Sequence, residues 1–140
     1  EEKELLVHRK GATRAMPAGR TEVPEAYSEA GQPVLIPGSM GTSSYILSGG
    51  QKSLELSFGS TAHGAGRLKS RTQSKKDYRA SDIQRELKRD QIFVKAASGE
   101  TIEEEAPGSY KDVDEVIKVS DQLGIGEKVV QMKPIVNVKG

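Results

Sequence analysis

Cysteine and tryptophan are absent, and aromatic residues fill only 4% of the 140 positions. Without cysteine the chain forms no disulfide and offers no thiolate to a metal, and nothing in it calls for an oxidising compartment. The shortage of aromatics leaves an aliphatic core to be drawn from a hydrophobic fraction of 34%. No apolar run approaches the ~20 residues that span a bilayer. The opening Glu1-Glu2-Lys3-Glu4 also lacks the layout of a secretion signal. A soluble, cytoplasmic protein with no membrane partner is therefore expected. Charge of one sign is missing too: 21 basic residues stand against 20 acidic ones. Any phosphate binding must come from local clustering, because the sum supplies no steering field. An initiating methionine is lacking as well, so the start reads as a cut inside a longer protein. The length suits one domain, and residues 1–140 are read as one.

What is present is a mixture of short strands and helices. Strands are expected at Leu5–His8, Pro33–Ile36, Ser44–Ser48, Leu54–Phe58, Ile92–Ala97, Val129–Met132 and Ile135–Val138, from β-branched or alternating apolar residues. Pro37-Gly38 ends the second of these, and Gly49-Gly50 is expected to turn the third into the fourth. Ser81 with Gln84 forms a capping-box pattern ahead of Ile83 and Leu87. Asp112 with Glu115 resembles the same cap, and Val113, Val116, Ile117, Ser120 and Leu123 line one helix face up to Gly124. Strands and helices do not alternate strictly, so the class is α+β, with mixed, largely antiparallel sheets and a few helices.

Three stretches could carry chemistry. His63, one of two histidines, lies in Phe58-Gly59-Ser60-Thr61-Ala62-His63-Gly64-Ala65-Gly66-Arg67. Small residues let a ligand approach the backbone, and successive amides can cradle an anion. A neutral imidazole there is a nucleophile for phosphorus, and Arg67 could balance phosphate charge. Taken alone, the stretch fits a turn whose histidine meets a backbone carbonyl better than it fits a catalytic site. Pro37-Gly38-Ser39-Met40-Gly41-Thr42-Ser43-Ser44 offers four hydroxyls but has neither the lysine of a phosphate loop nor the spacing of a nucleophile elbow. By itself it fits a serine-rich turn better than a ligand site. Lys139 follows Ile135 and Val138, whose alternation should anchor the tail and let the lysine reach a pocket. Lys69, Arg71, Lys75, Lys76 and Arg79 form a basic run suited to a phosphate backbone or simply to a solvated face. Glu103-Glu104-Glu105 is read as surface, because consecutive residues do not converge on one ion.

In order along the chain, His8-Arg9-Lys10-Gly11-Ala12-Thr13-Arg14-Ala15, Gly31 to Thr42, His63-Gly64-Ala65-Gly66-Arg67, Glu105 to Lys111 and Val138-Lys139-Gly140 resemble the C-terminal part of the RtcB family, the GTP-dependent RNA-splicing ligases. The resemblance covers essentially the whole chain. It implies a portion of the larger RtcB fold and a three-step reaction. A histidine takes GMP from GTP, GMP passes to an RNA 3′-phosphate derived from a 2′,3′-cyclic phosphate, and a 5′-hydroxyl displaces it, as in tRNA splicing and RNA repair.

By motif position His63 corresponds to the nucleophile. Pro37, Gly38, Ser39, Met40, Ser44, Gly64, Ala65, Gly66, Tyr110 and Lys139 correspond to residues around the guanosine nucleotide, with Lys139 reading guanine. Lys10, Arg14, Arg67 and Arg71 correspond to cations assigned to phosphates of RNA or nucleotide. The family uses Mn²⁺ held by upstream Asp, Cys and His motifs, so no metal ligand is expected in this chain. The implied partners are RNA ends, the upstream part of the ligase and an activating protein. The chain alone is expected to be inactive. Ala62 stands where the family usually has cysteine. Two other classes compete with the ligase reading: a non-catalytic RNA- or guanine-nucleotide-binding module, and a scaffold subunit.

Overall fold

In a computed structural model, which describes residues 4–140, the chain forms seven strands and five α-helices. In chain order they are β1 (Ala12–Arg14), β2 (Pro33–Ile36), β3 (Ser44–Gly49), α1 (Ser53–Ser57), β4 (Ser60–Ala62), α2 (Arg71–Asp77) and α3 (Ala80–Arg89). They continue with β5 (Phe93–Ala96), α4 (Gly99–Glu104), α5 (Val113–Leu123), β6 (Gly126–Met132) and β7 (Val136–Lys139). Single 3₁₀ turns occur at Glu25–Tyr27 and Pro107–Ser109. Antiparallel pairing joins β2-β3-β6 and β1-β4, while β5 and β7 run parallel. This is the expected α+β class.

Two apolar clusters organise these elements. Asp112 caps α5 by accepting from the Asp114 amide at 2.8 Å, and Gly124 closes the helix in the left-handed region at φ 67°. The buried face of α5, Val113 and Ile117, packs on Val34, Ile36, Tyr45 and Leu47 of the three-stranded sheet and on Ala15. A fully buried aliphatic side chain of this kind contributes about 1.5–3 kcal/mol. The second cluster gathers Met40, Ile83, Leu87, Ile102 and Ala106, with Val94 and Ala96 of β5 against it. Ile36 and Met40, both at 0% exposure, therefore belong to different clusters and fix the two ends of the segment between them.

Four expectations need correction. Leu5–His8 forms no strand; its residues are exposed and outside regular structure. Residues 53–57 are helical, although Leu54–Phe58 alternates like a strand. The residue buried there is Ser53, whose hydroxyl donates to the Ala15 carbonyl at 2.7 Å. Leu56 and Phe58 remain 52% and 60% exposed, so their alternation marks no core face. Gly49-Gly50 accordingly turns a strand into a helix, and a side chain at either glycine would run into a backbone carbonyl, of Met16 or Gly124. The Ser81 capping box does not form: α3 begins after Arg79 with no side-chain cap of its own. Instead the Ala80 amide donates to Glu103 Oε1 of α4 at 3.2 Å, so a second helix satisfies one of the free donors at this end.

Candidate functional site

The segment Pro37–Ser39 spans from the buried Ile36 to the buried Met40, and its shape is set by its own hydroxyls. The Gly38 amide donates to Ser44 Oγ at 3.0 Å and the Ser39 amide to Thr42 Oγ1 at 2.7 Å. Ser39 Oγ in turn donates to the Glu105 carbonyl at 2.9 Å, tying the segment to the end of α4. Opposite it runs the segment after β4. Thr61 is buried and paired with Thr13, and Ala65 packs against the first cluster. His63, carried between them, stays exposed. Gly64 lies close enough to this segment that an added Cβ would sit 3.7 Å from the Pro37 carbonyl oxygen.

The third wall comes from the segment after α4. Gly66 accepts from the Lys111 amide at 2.9 Å, and the Leu68 amide donates to the Ser109 carbonyl at 2.8 Å. Arg67 and Tyr110 are therefore brought face to face. The fourth wall is β7. Because side chains alternate along a strand, Asn137 and Lys139 point inward while Val136 and Val138 stay exposed. Asn137 Nδ2 donates to the Met40 carbonyl at 2.7 Å, fixing β7 to the end of the Pro37–Met40 segment.

These walls enclose a cleft of about 380 Å³, within the range of small-molecule sites, about 300–1,000 Å³. Of the predicted residues it brings together Pro37, Gly38, Ser39, His63, Gly64, Ala65, Gly66, Tyr110 and Lys139. Met40 and Ser44 lie behind the wall, one buried in the second cluster and the other bonded to the Gly38 amide. Two lining residues were missed, Gly11 and Glu105. The available signals were a glycine inside the first basic motif and a carboxylate at the head of the Glu105–Lys111 motif.

The three glutamates correct the expectation of a plain surface. Consecutive helical residues point about 100° apart, so they take separate partners. Glu103 meets the Ala80 amide, Glu104 pairs with Lys75 at 3.2 Å, and Glu105 pairs with Arg67 at 3.3 Å. Tyr110 Oη donates to Glu105 Oε2 at 2.5 Å. Burial first, and then this bond and the carboxylate charge, push the Tyr110 phenol above its ordinary range, so it stays protonated.

The predicted cations separate. Lys10 is exposed, and Arg14 is exposed with its Nε on Gln32 Oε1 at 3.0 Å. Arg71 is 70% exposed and reaches Glu104 and Glu105 only at 3.8 and 3.7 Å. Arg67 is half-buried and fully bonded to protein groups. Among the described residues no three His, Cys, Asp or Glu side chains converge as a metal site, and no helix is long and apolar enough to cross a membrane. A second hollow of about 410 Å³ against α3 and β5 holds Gln84, Lys88, Gln91 and apolar residues. It contains no nucleophile comparable to an exposed imidazole.

The family model described as tRNA-splicing ligase RtcB matches residues 1–140. Curated proteins of the same description are similar: the one from Thermococcus kodakarensis is 52% identical over 97% of this chain and 28% of its own length. The one from Pyrococcus horikoshii is 53% identical over 97% and 16%, and the one from Nanoarchaeum equitans 49% identical over 100% and 29%. The chain thus spans less than a third of the length of the curated relatives it matches.

Proposed function

This chain belongs to the RtcB family, and from that premise we propose that it is the nucleotide-accepting part of an RNA ligase, with His63 as the covalent acceptor of GMP. One observation carries this reading. The exposed imidazole of His63 lines the same cleft as Ser39, Tyr110 and Lys139, groups delivered from four separate stretches of sequence. A nucleophile beside a hydroxyl, an aromatic wall and an ammonium group suits a purine nucleotide.

In the proposed reaction a ring nitrogen of His63 forms a bond to the α-phosphorus of GTP while the bond to the β-phosphate oxygen breaks and pyrophosphate leaves. An RNA 3′-phosphate oxygen then attacks the same phosphorus, releasing the imidazole. Finally the 5′-hydroxyl oxygen attacks the RNA phosphorus, loses its proton and expels GMP. Lys139, inward-facing on β7, supplies donors to the guanine carbonyl. The Gly64–Gly66 backbone supplies donors to phosphate, and Ser39 Oγ, whose own proton lies on the Glu105 carbonyl, accepts from a ribose hydroxyl. The donor set for Mn²⁺ is not assembled among the described residues. In a complete ligase the remainder of the protein would hold that ion, which would neutralise charge on the leaving pyrophosphate. RNA with 2′,3′-cyclic phosphate or 3′-phosphate ends and 5′-hydroxyl ends is the proposed substrate, in the cytoplasm, with the rest of the ligase and an activating protein as partners.

The test is joining of such RNA ends by the complete ligase bearing this chain, with and without His63→Ala. GTP-dependent joining that disappears in the variant supports the proposal. Nucleotide binding that persists with no joining in either protein replaces it by the binding-module reading.

A further inference from the structure

Arg67 holds a motif position expected to meet phosphate, yet its guanidinium faces protein. A guanidinium has five N–H donors, and here five acceptors meet them. Nε donates to the Lys69 carbonyl at 3.0 Å. Nη1 donates to Tyr110 Oη at 2.7 Å and Glu105 Oε1 at 3.3 Å. Nη2 donates to Ser74 Oγ at 3.1 Å and to the Glu104 carbonyl at 2.5 Å. The same cation lies 4.7 Å from the centroid of the Tyr110 ring, within cation–π range. Ser74 is fully buried and shares a 2.6 Å hydrogen bond with the equally buried Ser109, so the support behind the arginine is rigid. Tyr110 and Glu105 line the cleft, whereas Arg67 does not.

We infer that Arg67 is a positioning residue: it holds the Tyr110 ring as an aromatic wall of the cleft, keeps the Glu105 carboxylate paired, and takes no phosphate. Tyr110 has its hydroxyl proton on Glu105 and accepts from Arg67, so the ring itself is its offer to a ligand. An aromatic ring with a cation stacked upon it and its hydroxyl tethered keeps one orientation. That saves the ordering cost a free side chain meets on binding. A lysine at the same place keeps the charge but lacks the planar fork, so it satisfies few of the five acceptors.

The inference rests on the nucleotide reading of this cleft. Its test uses the complete ligase with Arg67→Lys, Tyr110→Ala and the double variant, each checked for folding by thermal melting. Two quantities are measured: the GTP concentration for half-maximal GMP transfer to His63, and the salt dependence of RNA affinity. Arg67→Lys is expected to raise the GTP requirement about tenfold, the scale of one base–aromatic stack. In the Tyr110→Ala background it should add nothing, because neighbours acting through one another are not additive. The salt slope should stay unchanged. An effect that adds fully to that of Tyr110→Ala overturns the inference. So does an unchanged GTP requirement with a salt slope lowered by about one, the mark of a lost phosphate contact. Should Arg67→Lys not fold, Glu105→Gln replaces it, removing the charge and leaving one acceptor oxygen where the carboxylate offers one each to Arg67 and Tyr110. A GTP effect coupled to Tyr110→Ala supports the inference, and an additive or absent one overturns it. If Tyr110→Ala itself leaves the GTP requirement unchanged while His63 is still labelled, the cleft reading fails and this inference falls with it.

Discussion

Glycine positions around the cleft give a sharp prediction because their surroundings differ. A Cβ added at Gly38 would run into the Ser43 carbonyl oxygen and stand 2.7 Å from Thr42 Oγ1. Backbone must shift to admit it, and overpacking of that severity costs about 3 kcal/mol. The shift would also break the amide-to-hydroxyl bonds that shape Pro37–Ser39. At Gly66 nothing lies within 4 Å, but φ is +77°, so alanine there costs roughly 1 kcal/mol of backbone strain. At Gly64 φ is ordinary and the nearest atom is the Pro37 carbonyl at 3.7 Å, so Gly64→Ala should stay within about 0.5 kcal/mol. Its methyl group nevertheless enters the narrow space between the two loops. Urea unfolding should rank the variants Gly38→Ala, Gly66→Ala, Gly64→Ala from most to least destabilised. Labelling of His63 by GTP in the complete ligase should suffer in both Gly38→Ala and Gly64→Ala. A Gly38→Ala protein as stable as Gly64→Ala would refute the steric argument.

Asn137→Ala removes the donor to the Met40 carbonyl, at a cost of about 1 kcal/mol. By loosening β7 it should also raise the GTP requirement although Asn137 does not line the cleft; an unchanged requirement would mean that Lys139 is placed by other means. Tyr45 donates to Asp114 Oδ1 at 2.7 Å, and burial, reinforced by that carboxylate, pushes its phenol up to about 12. Below about pH 10, the ordinary tyrosine value, both states keep the proton and the contribution to stability is complete. Between about 10 and 12 the unfolded chain loses its proton first, so stability falls as pH rises. Tyr45→Phe should lower stability near neutrality by about 1 kcal/mol and flatten the alkaline decline, as urea unfolding across that range would show.

How much of this was legible depended on whether the decisive contact was local. Pro33–Ile36 and Ser44–Ser48 announce themselves through β-branched or alternating residues bounded by Pro-Gly and Gly-Gly, and α5 through its cap and its closing glycine. The span Leu54–Phe58 misled because alternation reports burial only where the apolar residues face a core. Here the buried contact is the Ser53 hydroxyl on Ala15, 38 positions away. The strands β1 and β4 are three residues each, too short for any period to show. Within the cleft, the small residues and His63 stood out in the sequence. The tie between Arg67, Glu105 and Tyr110 did not, because no spacing rule joins an arginine to a carboxylate 38 residues on.

Covalent capture of GMP by His63 is tested by incubating the complete ligase with GTP labelled at the α-phosphate and mapping the labelled residue by mass spectrometry. A GMP adduct is expected on the peptide containing His63, labile in acid as a phosphoramidate is, and absent from His63→Ala. An adduct on another residue, or undiminished labelling of His63→Ala, would contradict it.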